Sequence, residues 1–218
     1  MGYNLLLMSG HGHSHGSGGC AHEHEPESDA SEGWSLYQYI NTESVTCLNE
    51  SVPGSVKNCF KPYSERASTD KYLESNEDDE QLILYIPFTG AVKITNICVV
   101  GGSNGSSPSK LKVWKNRDDI DFSVADDLEP LQDFDLQEDP IGEVNYTTKI
   151  TRFQNITSLT MYFPENFGED FTRIYYIGLK GEFKNVKREA VDVVYEARPQ
   201  LKDHKTGTDN GPVSKQIQ

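Results

Sequence analysis

An all-β fold, an antiparallel sandwich wound as a jelly roll, is what this sequence predicts, and three observations predict it. Between the two ends of the chain the apolar residues fall into short runs, four to nine long and rich in Val, Ile, Tyr and Phe. Clusters of Gly, Pro, Asn and Asp separate them, as turns separate strands. No long stretch repeats its apolar residues at the helical period of about 3.6. The connections are long and acidic, which suits an antiparallel arrangement better than a parallel α/β sheet.

In chain order, WSLYQYI (34–40) spaces Leu36 and Ile40 four apart and predicts a short helix. LILYI (82–86) is continuously apolar and stops at Pro87, as a strand covered on both faces would. Thr89-Gly90 then predicts a turn, and VKITNICVV (92–100) the returning arm of a hairpin. GGSNGSSPSK (101–110) lacks the Gly-Lys-Ser/Thr ending of a phosphate loop and is expected to be a flexible connection. KLKVW (110–114), SLTMYF (158–163), RIYYIGL (173–179) and AVDVVYE (190–196) complete the strands, with Leu159, Met161 and Phe163 alternating against Ser158 and Thr160 as a single core face requires.

The 218-residue length suits one domain with tails. Residues 1–33, a His/Gly-rich arm, and 198–218 hold too few apolar side chains to offset the entropy of ordering, so disordered tails are expected around a domain at 34–197. The formal net charge is −14, from 34 acidic and 20 basic side chains, which repels polyanions and argues against nucleic acid and anionic membranes as partners. The acids concentrate in 70–80, with six carboxylates to one lysine, and in 116–143, with eleven to one arginine. The apolar run Leu5 to Met8 falls short of the roughly 7 to 15 residues of a signal peptide, so a cytoplasmic and nuclear chain with reduced thiols is expected.

The chemical motifs are few. Five histidines lie in the first 24 residues and the sixth is His204, so 34–197 has no imidazole for Ser-His or Cys-His catalysis, and no enzyme is expected. His11, His13, His15, Cys20, His22 and His24 are metal-binding residue types, yet HxHxH set in glycine has no preformed geometry. Incidental binding of zinc, nickel or copper is therefore expected, and no cofactor. Asp119, Asp121 and Ser123 have the opening spacing of an EF-hand, but Val124 stands where the turn glycine belongs and Pro130 where the bidentate glutamate belongs. Cys47 and Cys98 read as packing thiols, and Cys59 as an unspecialised thiol whose pKa Lys61 lowers at most slightly. Lys180, Lys184, Lys187 and Arg188 form a compact basic patch in the sequence, a candidate docking surface for an acidic partner.

Several segments together carry a resemblance: CLNES (47–51), LILYIPFTGAVKI (82–94), SPSKLKVWKN (107–116), TKITRFQNITSLTMYF (148–163), and YIGLKGEF with KREAVDVVYEA (176–183 and 187–197). In this order they resemble the PITH domain, the C-terminal, proteasome-interacting domain of thioredoxin-like proteins. The resemblance implies a galactose-binding-like jelly roll and association with the 26S proteasome regulatory particle. It transfers no catalytic residue, and the CxxC pair of a thioredoxin domain is missing. The resulting expectation is a monomeric, non-enzymatic interaction module acting as adaptor or regulator. The alternative is a small-ligand or carbohydrate-binding sandwich, aided by calcium in its acidic loops.

Overall fold

A computed structural model of the chain describes residues 34–184. The strand expected at 190–196, Lys187 and Arg188, the histidine arm and both expected tails lie outside them. The described residues form eight strands, one α-helix and four short 3-10 turns; the strands and the α-helix are β1 Thr46–Leu48, β2 Leu73–Glu74, β3 Leu82–Gly101, β4 Lys110–Lys115, α1 Phe122–Asp127, β5 Gln132–Asp135, β6 Tyr146–Thr147, β7 Ile156–Phe163 and β8 Arg173–Lys184. They pair in the order β2-β8-β3-β7-β4-β5, with β1 and β6 also on β3, and every pairing is antiparallel.

Strand β3 organises the sandwich. Its first part, Leu82 to Pro87, lies against β1 and β7, and its second, Ala91 to Gly101, lies against β8 and β6. The eight strands form one continuous ladder folded into two layers, a first sheet of β1, β7, β4 and β5 and a second of β2, β8 and β6. Strand β3 passes from the first to the second between Pro87 and Val92, where its register with β7 breaks. The expected hairpin is therefore one 20-residue strand. Thr89-Gly90 stays extended because each neighbour finds a partner without a turn: the Pro87 carbonyl accepts from Asn41 N–H (2.9 Å) and the Thr89 hydroxyl donates to the Tyr39 carbonyl (3.3 Å). Gly90 provides space. A Cβ there would stand 2.9 Å from the Phe183 ring, which stacks on Tyr39 with centroids 4.0 Å apart.

Two bulges keep the apolar residues of the second sheet facing inward. Thr95 is left unpaired between Ile94↔Gly181 and Asn96↔Lys180, so that Val92 and Ile94 before it and Ile97 and Val99 after it all reach one core. Thr148 satisfies the bulge: its hydroxyl meets the carbonyls of Ile94 (2.7 Å) and Thr95 (3.1 Å), and its amide donates to the Thr95 carbonyl (2.9 Å). On β8, Tyr175 is skipped between Ile174 and Tyr176, which puts Ile174, Ile177 and Leu179 in the core and Tyr176 outside.

The first sheet is covered on both sides. Leu82, Leu84, Ile86, Leu111, Val113, Leu159, Met161 and Phe163 face the main core. On the opposite face Ile83, Trp114 and Tyr162 lie under α1, with Ile120 and Ala125. The Asp121 carboxylate caps this short helix, accepting from Val124 N–H (2.8 Å) and Ser123 Oγ (2.7 Å). The single core face expected of 158–163 is thus corrected, since Ser158, Thr160 and Tyr162 are buried too. The expected helix at 34–40 is only a 3-10 turn, Tyr37–Tyr39, yet Leu36 and Ile40 do enter the core. The glycine-rich connection is packed rather than loose: Ser106 and Ser107 are buried, and a Cβ on Gly102 or Gly101 would stand 2.1 Å from their respective hydroxyls. Strand β5 closes the path with Asp133 and Asp135 exposed along it.

A Cβ on Gly181 would fall 1.9 Å from the Lys93 carbonyl, a backbone atom that cannot move aside. Gly181→Ala should cost about 2 kcal/mol or more by denaturant unfolding. Gly54→Ala, at φ 82° with open space around it, should cost only about 1 kcal/mol. Equal losses would show that the strands separate easily at this point.

Candidate functional site

The outer face of the second sheet is where the described part of the predicted basic patch lies. Cys98 and Val100 of β3 and Tyr176 of β8 form a small apolar cluster there, with Tyr63 and Tyr175 packed against it. The turn Tyr63–Glu65 follows Pro62 and brings Tyr63 over the sheet. Two cations sit on the Tyr63 ring, the Arg66 guanidinium at 4.1 Å and the Lys180 ammonium at 4.9 Å from its centroid. Arg66 also donates from Nη1 to the Tyr63 carbonyl (3.3 Å), while its Nε is buried without a partner.

Asp139 is the buried anion on this side, 5% exposed. It sits in a backbone nest, accepting from the amides of Gly142 (2.8 Å), Val144 (2.7 Å) and Ile141 (3.3 Å). Next to Tyr63 lies a concavity of about 190 Å³ lined by Ser35, Tyr37, Gln38, Pro62 and Tyr63. Pockets for small organic ligands run to roughly 300–1,000 Å³, so this one suits one or two side chains of a partner. Its floor is firmly held, because Leu36 N–H donates to the Leu179 carbonyl (2.8 Å) and Ser35 bridges Lys180.

Lys180 and Lys184 project from the same strand but have different surroundings. Lys180 is half-buried on Tyr63, whereas Lys184 donates to Asn155 Oδ1 (3.0 Å). Between them Glu182 pairs with Lys93 (3.1 Å), so the described part of the patch is a row of separate contacts. Lys187 and Arg188 lie outside the described residues, as do His11, His13, His15, Cys20, His22 and His24. Among the described residues no group of three His, Cys, Asp or Glu side chains is placed to hold a metal ion. Asp119 pairs with Arg117 and Asp121 caps α1, which engages both aspartates of the EF-hand-like spacing.

Each described thiol is held protonated. Burial, reinforced by the Asp139 carboxylate, pushes Cys98 up to about 11, against the weaker pull of Lys180 and Arg66. Burial pushes Cys59 up to about 12, outweighing the lowering by the Leu73 amide and by Lys61, so the small effect of Lys61 leaves an unspecialised thiol. Cys47 is raised further, by burial and then by Glu50. Sequence reasoning missed Tyr63 and Arg66, which no motif links to Lys180. The only signal was Pro62-Tyr63, an aromatic beside a turn-forming proline.

This geometry defines a class: an antiparallel β-sandwich that carries an aromatic and cationic surface on one sheet. A PITH domain model matches residues 26–199, and the chain belongs to the PITH domain family. It is 46% identical over 178 residues to PITH domain-containing protein 1 of Dictyostelium discoideum, covering 82% of this chain and 88% of that protein. The human PITH domain-containing protein 1 is 42% identical over 173 residues, covering 79% of this chain and 81% of its own length. Among solved structures, the CBM32-1 and CBM32-2 domains of ZmpB from Clostridium perfringens in complex with GalNAc superpose with a TM-score of 0.53 at 10% identity, over 71% of this chain and 38% of that one. That likeness supports the fold.

The protonated thiols make stability depend on alkaline pH. An unfolded thiol ionises near pH 8.5, whereas folded Cys98 keeps its proton to about 11. The contribution is whole below the unfolded value and is lost as pH rises through the folded one. The melting temperature should fall between pH 9 and 11, and less steeply in Cys98→Ala. An unchanged slope in that variant would remove Cys98 as a cause.

Proposed function

We propose that this chain is a non-enzymatic, monomeric interaction module of the cytoplasm and nucleus that associates with the 26S proteasome regulatory particle as an adaptor or regulator. The observation that carries the reading is the Tyr63 surface. A tyrosine ring bearing Arg66 and Lys180, beside a concavity sized for side chains, is a pairing suited to protein recognition. The choice of partner rests on what the resemblance to the proteasome-interacting domain of thioredoxin-like proteins implies, and membership of the PITH domain family accords with that resemblance. The described residues contain no histidine, and their thiols are held as weak nucleophiles, which supports a non-enzymatic role.

A small-ligand or carbohydrate reading, with calcium in the acidic loops, has less support. Trp114 is 4% exposed and presents no face to a sugar. The acidic concavity formed by Asp78, Glu80, Glu165, Glu169 and Asp170 is polar and offers no aromatic platform.

Purified 26S proteasomes sedimented with the full chain should carry it down, and Lys180→Glu or Tyr63→Ala should reduce the bound fraction roughly fivefold or more. Equal recovery of a control protein of the same charge would defeat the reading. So would a calorimetric binding heat with GalNAc that appears only with calcium, since that would favour the carbohydrate alternative.

A further inference from the structure

A second surface, on the first sheet and away from the Tyr63 concavity, gathers cations from two separate stretches of the sequence. Lys115 ends β4, Arg117 follows it, and Arg152 comes from the turn before β7. With Trp114, Leu128, Glu129, Pro130 and Leu131 they line an open groove of about 480 Å³. Leu128, Pro130 and Leu131 are half-buried, so the groove has an apolar wall.

The groove is held open by its own bonds. The Trp114 indole N–H donates to the Glu129 carbonyl (3.2 Å), which fixes the 129–131 wall on the buried Trp114. Lys115 Nζ donates to the Arg152 carbonyl (2.6 Å), and Arg152 Nη1 donates to the Leu131 carbonyl (3.3 Å). Arg117 is the cation with a carboxylate partner, bonded twice to Asp119 (2.6 and 2.7 Å). Lys115 and Arg152 make no ion pair among the described residues, although the chain as a whole carries −14. Two positive charges bonded only to backbone carbonyls, next to half-exposed leucine and proline, are complementary to carboxylates that flank an apolar side chain.

We propose that this groove docks an acidic peptide segment of a partner protein, with an apolar side chain of that segment against Leu128, Pro130 and Leu131 and its carboxylates on Lys115 and Arg152. A nucleic-acid strand fits poorly, because its regularly spaced phosphates would run past Lys115 and Arg152 onto the carboxylates of 118–129, whereas a short peptide can confine its carboxylates to the two cations. The proposal shares with the proteasome reading only the idea that partners are proteins, and its test uses peptides, so either can fail alone.

Random dodecapeptides displayed on phage are selected against the immobilised full chain, and a recovered sequence is resynthesised with fluorescein for anisotropy. The expected peptides place Asp or Glu beside Leu, Ile or Phe. They should bind Lys115→Glu/Arg152→Glu roughly tenfold more weakly and Lys180→Glu unchanged. If the charge-reversed double variant does not melt cooperatively, Lys115→Met/Arg152→Gln serves in its place, with the same expected weakening. Peptides without acidic enrichment, or binding indifferent to these variants, would overturn the proposal. So would two other occupants. One is the chain's own arm, shown by a Trp114 indole resonance that moves when Glu23, Glu25, Glu27, Asp29 and Glu32 are changed to their amides. The other is a second copy, shown by a dimer in sedimentation that the groove variants abolish.

Discussion

Everything in this sandwich depends on one strand belonging to two sheets. Leu82–Gly101 has β1 and β7 beside its first part and β8 and β6 beside its second, so its backbone fixes how the two layers meet. The difficulty is one of phase. A strand presents alternate residues to opposite faces, and a long strand that changes sheets must keep presenting apolar side chains to a single core. The bulge at Thr95 resets that phase, and Thr148 stabilises it by supplying donors to the carbonyls that the bulge leaves outside the ladder. Without those donors, backbone carbonyls at a buried site would lack partners, which is costly.

Much of the fold was legible in the residues. The continuous run at 82–86 signalled burial on both faces, and Ile83 is indeed covered on the outside by α1. The helical residues were harder to see, because six residues capped by Asp121 are too short to display a period. The failure at Thr89-Gly90 has a specific cause. Glycine before an apolar run is an ordinary turn signal, but here it clears space for Phe183, a residue 93 positions away that local reading does not reach. RIYYIGL likewise hides its bulge, since Tyr175 and Tyr176 are alike in sequence and only pairing decides which one is skipped.

The candidate surfaces were less legible than the core for a related reason. Basic residues adjacent in sequence caught attention at 180–188, yet within the described part Glu182 and Lys93 pair between Lys180 and Lys184. The surfaces that do combine cations with aromatic or apolar side chains are assembled across the chain, Arg66 with Lys180 over Tyr63, and Lys115 with Arg152 beside Leu131. On an acidic protein such islands matter more than their number suggests, because the surrounding field discourages nonspecific anionic contacts and leaves recognition to local geometry. On β5, which has one strand partner among the described residues, the exposed Asp133 and Asp135 act in the opposite sense, discouraging another chain from adding a strand.

The shared strand also bears on when the protein can fold during its synthesis. β3 leaves the ribosome well before β7 and β8, which supply its longest pairings, and until residue 184 has emerged its second part lacks its main neighbour. Neither sheet is an autonomous early unit, because each contains part of the same strand. The nascent chain therefore holds the apolar run from Leu82 to Ile86 without its sandwich until nearly all of the described domain has been made, an interval in which chaperone protection is of most use.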